Sequence, residues 1–166
     1  KLFKLGVEKV SLNYSAIYNS NLITELAERF GSQSIVVSID YKRNLFGKIK
    51  VYSQRGKIVV DTDIMRLAKQ IEKLGAGEIL LTSIDNEGKS VGYDIETIRK
   101  VSDSVNIPVI ANGGCNDIND IYLAIKEGGA SAVSASSMFI YWGKLRGVLI
   151  NYPTQDILTD KLFNKI

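Results

Sequence analysis

Histidine is absent from this 166-residue chain, and cysteine occurs once, as Cys115. These absences exclude the usual Cys/His zinc sets, the Ser/His and Cys/His nucleophile pairs, and any internal disulfide. Charge of one sign is also lacking. Lys and Arg number 21 against 18 Asp and Glu, a net charge of +3, and the bases are scattered among acids with no stripe of the kind that marks a nucleic-acid surface. No nucleic-acid partner is expected. No apolar run approaches the roughly 18 residues of a membrane span, and no charged-then-apolar signal segment opens the chain. The expectation is therefore a cytoplasmic protein without a membrane partner. The opening KLFKLG lacks an initiating Met and reads as the last turn of a helix with Gly6 just past its end, a start inside a domain. The groups left for chemistry are carboxylates, Lys, hydroxyls and backbone dipoles, and they imply no metal and no cofactor.

What is present is a globular composition, 45% hydrophobic and 23% charged, enough for one domain with a real core. Short runs rich in Val and Ile alternate with segments of helical period. EKVSLN, SIVVSID, EILLTSID, IPVIANGG and ASAVSASS read as five strands. Between them SNLITELAERFG, DTDIMRLAKQIEKLGAG, YDIETIRKVSDSVN and DINDIYLAIKEGGA space apolar residues by three and four and often stop at Gly, as amphipathic helices do. Strands whose composition reads as apolar on both faces, joined by helices, give a parallel sheet covered by helices. SLNYSAI after the first strand is no Gly-rich nucleotide loop, which argues against an open doubly wound sheet. Polar residues end several strands instead, at Asn13, Asp40, Asp85, Asn112 and Ser136, the pattern of a (β/α)8 TIM barrel. The Gly-punctuated NLFGKIKVYSQRGKI reads as a hairpin inserted after the second strand. A complete barrel needs about 250 residues. The expected fold is thus a single α/β domain over 1–166, an N-terminally incomplete barrel of about five β/α units, whose open edges would make the piece poorly soluble unless covered.

Asp40 ends the run VVSID. A carboxylate there faces the barrel mouth, where desolvation raises its pKa and Lys42 lowers it, so it is tunable for acid or base work; the plainer alternative is a loop Asp paired with Arg43. Asp85 and Glu87, with Gly88 and Gly92, lie in TSIDNEGKSVGYD, where ordinary turn chemistry competes with a site. Asn112, Gly113 and Gly114 follow one strand, and Ser136 and Ser137 the next. Uncovered N–H groups and hydroxyls there form an anion cradle, in the region where barrels commonly bind phosphate; a tight turn and a helix cap are the alternative. Lys9 and Glu78 start their strands on the opposite rim, where a salt bridge is the simplest role. Cys115 shows no sign of activation.

GVEKVSLN, LITELAERFGSQSIVVSIDYKR, KLGAGEILLTSID, GYD and IPVIANGG together resemble the cyclase subunit of imidazole glycerol phosphate synthase, a (β/α)8 barrel. The resemblance covers nearly the whole chain. It implies a lyase of histidine biosynthesis that takes ammonia from a glutaminase partner and converts a phosphoribulosyl formimino carboxamide ribotide into imidazole glycerol phosphate and the aminoimidazole ribotide. It implies that Asp40 is a catalytic aspartate, that Asn13 is a residue of the barrel mouth, that Thr82 and Gly88 contact the substrate, and that Gly113, Gly114, Ser136 and Ser137 form one of two phosphate sites; Asn13 and Asn112, at their strand ends, are counted with the substrate- and phosphate-binding residues. Lys9 and Glu78 become members of a charged ring through which ammonia enters. The other catalytic aspartate and the second phosphate site belong to family strands one and three, outside this chain, so these residues alone should be inactive. Two departures stand out. DNEGKS replaces the family's D-x-D-G-T, with Glu87 for the second acid and Lys89 for the Thr. The tail MFIYWGKLRGVLINYP instead resembles a paralogous branch associated with amidation of surface-polysaccharide sugars, which implies a sugar amidotransferase as a further partner.

Overall fold

The computed structural model describes residues 2–54, 56–143 and 145–166. Its parallel sheet follows the apolar runs. Strands β1 (Val10–Leu12), β2 (Ile35–Arg43), β5 (Glu78–Ser83), β6 (Val109–Asn112) and β7 (Ala132–Ser134) are joined side by side in chain order, all parallel. The expected hairpin is present as β3 (Ile49–Ser53) and β4 (Ile58–Val60). β3 pairs antiparallel with the outer half of β2, from Asp40 to Arg43, beyond the part of β2 that β1 covers. One strand therefore serves two neighbours along the same edge.

Helices α2 (Asn21–Phe30), α3 (Ile64–Lys73), α4 (Ile95–Ser102) and α5 (Ile118–Lys126) lie between the strands in sequence. Each of the last three starts on an aspartate whose side chain accepts orphan N–H groups of the first turn: Asp63 from Met65 and Arg66, Asp94 from Thr97, Asp117 from Asn119 and Asp120. Their apolar stripes are buried, as in Ile64, Leu67, Ala68 and Ile71 of α3. These pack on one face of the sheet, where Ile35, Val37, Ile39, Tyr41, Ile79, Leu81, Val109 and Ala111 are 2% exposed or less. At the start, a single 3-10 turn (Phe3–Leu5) ends at Gly6, whose N–H returns to Phe3 O and whose φ is 83°, the helix end read from KLFKLG.

The strands are not apolar on both faces, as their composition led us to expect. From Val37 onward β2 alternates, and Ser38, Asp40 and Lys42 take the less buried side; Leu80 and Thr82 on β5 and Ile110 and Asn112 on β6 do the same. This second face corresponds to a barrel interior. The parallel sheet ends at β1 and β7, each paired with one strand among the described residues, so the barrel is incomplete. Beyond β7 the chain forms short α6 (Ser137–Ile140), a hairpin of β8 (Tyr141–Trp142) and β9 (Gly147–Val148), then α7 (Gln155–Leu158) and a π-helical turn (Thr159–Phe163) that buries Leu162. None of these short pieces is long enough to show a period, and sequence reading missed them. Among the described residues no helix is long and apolar enough to cross a membrane.

Candidate functional site

The polar strand ends fall into one row. Asp40 is the register partner of Thr82, Thr82 of Asn112, and Asn112 of Ser134. Residues in register on parallel strands project to the same face about 4.8 Å apart, so four polar side chains from four strands stand side by side at the C-terminal rim. The Asn112 amide donates to Thr82 Oγ1 at 3.2 Å. One residue past β1, Asn13 leaves α1 (Tyr14–Tyr18) uncapped and donates instead to Ser38 O at 3.1 Å, which fixes it beside the same row.

Asp40 is half-buried, and burial raises its pKa; the hydroxyl of Ser38, donating to Oδ1 at 2.8 Å, partly opposes that. The Arg43 pairing does not occur. Arg43 turns outward to Asp94 at 3.1 Å and Glu96 at 3.2 Å, because successive residues of a strand face opposite ways and position 43 lies on the helix side. Lys42 stands over the Tyr52 ring, 4.9 Å from its centre, and donates to Gly56 O. Asp40 is thus a desolvated carboxyl holding one hydroxyl donor, its pKa raised by burial, a setting suited to acid or base work.

Asp85 joins no site. Its carboxylate accepts the Arg43 N–H at 2.7 Å and ties the loop after β5 to the end of β2, the turn role that its composition allowed. Glu87 and Gly88 lie nearer the mouth. They line a small polar pocket with Gly113, Gly114, Ser136 and Ser137, so the structure brings together every residue proposed for the anion cradle. The glycines are required by backbone packing. At Gly113 (φ 97°) a Cβ would stand 2.6 Å from Ser83 O, and at Gly114 (φ 108°) 2.1 Å from Gly92 O. The cavity so enclosed measures about 10 Å³, room for about one water molecule, and the exposed Glu87 carboxylate forms part of its wall, 3.3 Å from the position of a Gly113 Cβ. Ser136 caps no helix.

Lys9 and Glu78 form an ion pair, with the carboxylate the better buried partner. Glu78 begins the strand on which Thr82 lies, so the pair sits about 13 Å below the polar row at 3.3 Å per residue. Cys115 is buried, its thiol pushed up to about 11 by burial, and it contacts Asp117 O and Met138 Sδ, so it is no nucleophile. Among the described residues no group of three or more acids or Cys forms a metal site. Sequence reading missed Ser38 and Ser134, which alternation would have found: each lies two residues from a polar neighbour on the same strand or its flank. Arg146 was also missed. It lies in the hairpin at the mouth, where no periodic signal exists.

The profile of the family described as "Histidine biosynthesis protein" matches residues 1–146. The chain is 50% identical over 139 residues to the imidazole glycerol phosphate synthase subunit HisF of Pyrobaculum aerophilum, covering 83% of this chain and 54% of that protein. It is 43% identical over 141 residues to HisF of Alkaliphilus metalliredigens, 85% of this chain and 56% of the relative. It is 41% identical over 153 residues to a Pseudomonas aeruginosa protein named "Putative imidazole glycerol phosphate synthase subunit hisF2", 92% of this chain and 61% of the relative. The chain thus spans little more than half the length of these relatives.

Proposed function

Since the chain belongs to the histidine biosynthesis protein family, we propose that it supplies strands four to eight of a cyclase-type barrel in an imidazole glycerol phosphate synthase, with Asp40 as its acid or base. The observation that carries this reading is the row Asp40, Thr82 and Asn112 at the C-terminal rim, headed by a carboxyl whose pKa burial raises. In this reading Asp40 moves the proton as ammonia adds to the formimino ribotide and the imidazole ring closes. Thr82, Asn13 and Asn112 orient the substrate by hydrogen bonds. Gly88, Gly113, Gly114, Ser136 and Ser137 meet one phosphate. Lys9 and Glu78 gate ammonia delivered from a glutaminase subunit, and the reaction takes place in the cytoplasm with no cofactor. The test uses the full-length protein with the formimino ribotide and ammonium at alkaline pH, following loss of substrate absorbance. Asp40→Asn should abolish turnover and spare phosphate binding; undiminished turnover would overturn the assignment.

A second reading places the chain in a paralogous branch. The alignment with the hisF2-named relative extends over 153 residues against 139 and 141 for the two HisF subunits, so it takes in more of this chain, and the Glu87 carboxylate borders the cradle. In that reading the barrel conducts ammonia and activates a glutaminase for sugar amidation, working with a sugar amidotransferase. It requires Glu78→Ala to damage glutamine-dependent amidation by the assembled complex. Normal transfer in that variant would count against it.

A further inference from the structure

Resting on the phosphate reading of the Gly and Ser loops, we propose that the phosphoryl group binds at the mouth of the cradle, gripped by Arg146 from the β8–β9 hairpin. The cradle by itself supplies no positive charge: its cavity of about 10 Å³ takes about one water, so a phosphoryl group that meets its N–H groups and hydroxyls extends out through the mouth, and its one charged wall residue, Glu87, is an acid. Directly beside it lies a cavity of about 460 Å³ lined by Ser90, Asn116, Ser137, Met138, Tyr141 and Arg146, within the size range of small-molecule sites. Ser90 and Ser137 line both spaces, so the two are neighbours that share a wall. Arg146 is the charged residue lining the larger cavity among the described residues.

Its guanidinium is held in place before any ligand arrives. It stacks over the Tyr141 ring, 4.6 Å from the centre, and one N–H donates to Gly88 O at 3.2 Å across the loop after β5. The backbone at Arg146 has φ 50° and is pinned by its own N–H to Gly143 O at 3.0 Å, a left-handed conformation that non-glycine residues seldom adopt without compensation. None of the ion pairs among the described residues involves Arg146. A fixed guanidinium with free donors and no carboxylate, facing hydroxyls and an amide in a roomy cavity, matches a phosphate monoester in charge and geometry. The hairpin is then a binding element of the site.

The test is calorimetric titration of full-length protein with inorganic phosphate at constant ionic strength, for the native protein, Arg146→Gln, Arg146→Lys and Ser136→Ala. Arg146→Gln should weaken phosphate binding at least about tenfold, the worth of a charge-assisted contact, and Arg146→Lys should recover part of it, charge without the fork. Arg146 is exposed, so unchanged melting temperatures are expected and separate a binding loss from misfolding. Native affinity in Arg146→Gln with a loss in Ser136→Ala would overturn the role of Arg146 and leave the cradle reading standing. Phosphate binding absent from the native protein would overturn both.

Discussion

At the scale of single residues, the chemistry of Asp40 conflicts with its stability. Its pKa is raised by burial, so the folded state binds that proton more tightly than the unfolded chain does. The carboxyl therefore contributes most to stability below the unfolded value of 3.8, and that contribution is lost as pH rises through the folded pKa. At neutral pH Asp40→Asn should unfold at the same temperature as the native protein or higher, while losing turnover; a clear fall in melting temperature would contradict the desolvation argument. Ser38→Ala removes the hydroxyl that favours the charged form. It should move the limb of the pH–rate profile that Asp40 governs, the acidic limb for a base and the basic limb for an acid, to higher pH, and unmoved limbs would show that Ser38 does not tune Asp40. Glu87→Gln removes the acid from the cradle wall, and phosphate should bind about two- to fivefold more tightly, the worth of one screened surface charge. Asp40 was legible because an acid ended an apolar run. Ser38 carries a related signal, a polar residue two before Asp40, but it lies inside the strand, where a lone serine in an apolar run is no distinctive mark of a site.

At the scale of elements, the end of β2 is anchored to the start of α4. Arg43 donates to Asp94, Glu96 and Thr97, and the buried Tyr41 hydroxyl donates to Asp94 Oδ2 at 3.3 Å. Burial alone would raise the Asp94 pKa, but hydrogen bonds from Arg43 and Thr97 outweigh it and hold the carboxyl below its ordinary value. Its stabilising effect is therefore present above the unfolded pKa and is lost as pH falls through the folded one. Asp94→Ala should cost about 1–3 kcal/mol in urea unfolding at neutral pH, from the lost N-cap and the stranded Tyr41 hydroxyl, and the cost should shrink in acid. A cost that does not vary with pH would remove the charge from the explanation. Helices α3, α4 and α5 were readable from spacing and capping aspartates, and the β3–β4 hairpin from its glycines. The β8–β9 hairpin was not, because two-residue strands carry no pattern and their pairing is decided by contacts made after the chain has folded.

For the whole molecule, the open face governs behaviour. β1 and β7 end the parallel sheet with unpaired backbone groups on their outer sides among the described residues, and Leu45, Phe46 and Leu145 are each more than nine-tenths exposed at hairpin tips. Such edges pair with other chains unless covered. In sedimentation the 166-residue chain should self-associate and show no turnover, whereas adding the first three β/α units of a HisF relative as a separate polypeptide should yield a defined complex; a stable, active monomer would refute the incomplete-barrel reading. The alternating runs and helical spacings of the sequence were by themselves enough to determine a parallel β/α architecture and an acid at a strand end, since local period and burial preference act over a few residues. Only tertiary structure decided that Asp40, Thr82, Asn112 and Ser134 share one row, that Arg43 leaves Asp40 for Asp94, and that Arg146 comes to rest beside Gly88. Register between strands and contacts across 58 positions depend on how the whole sheet packs, and no local pattern in the chain encodes them.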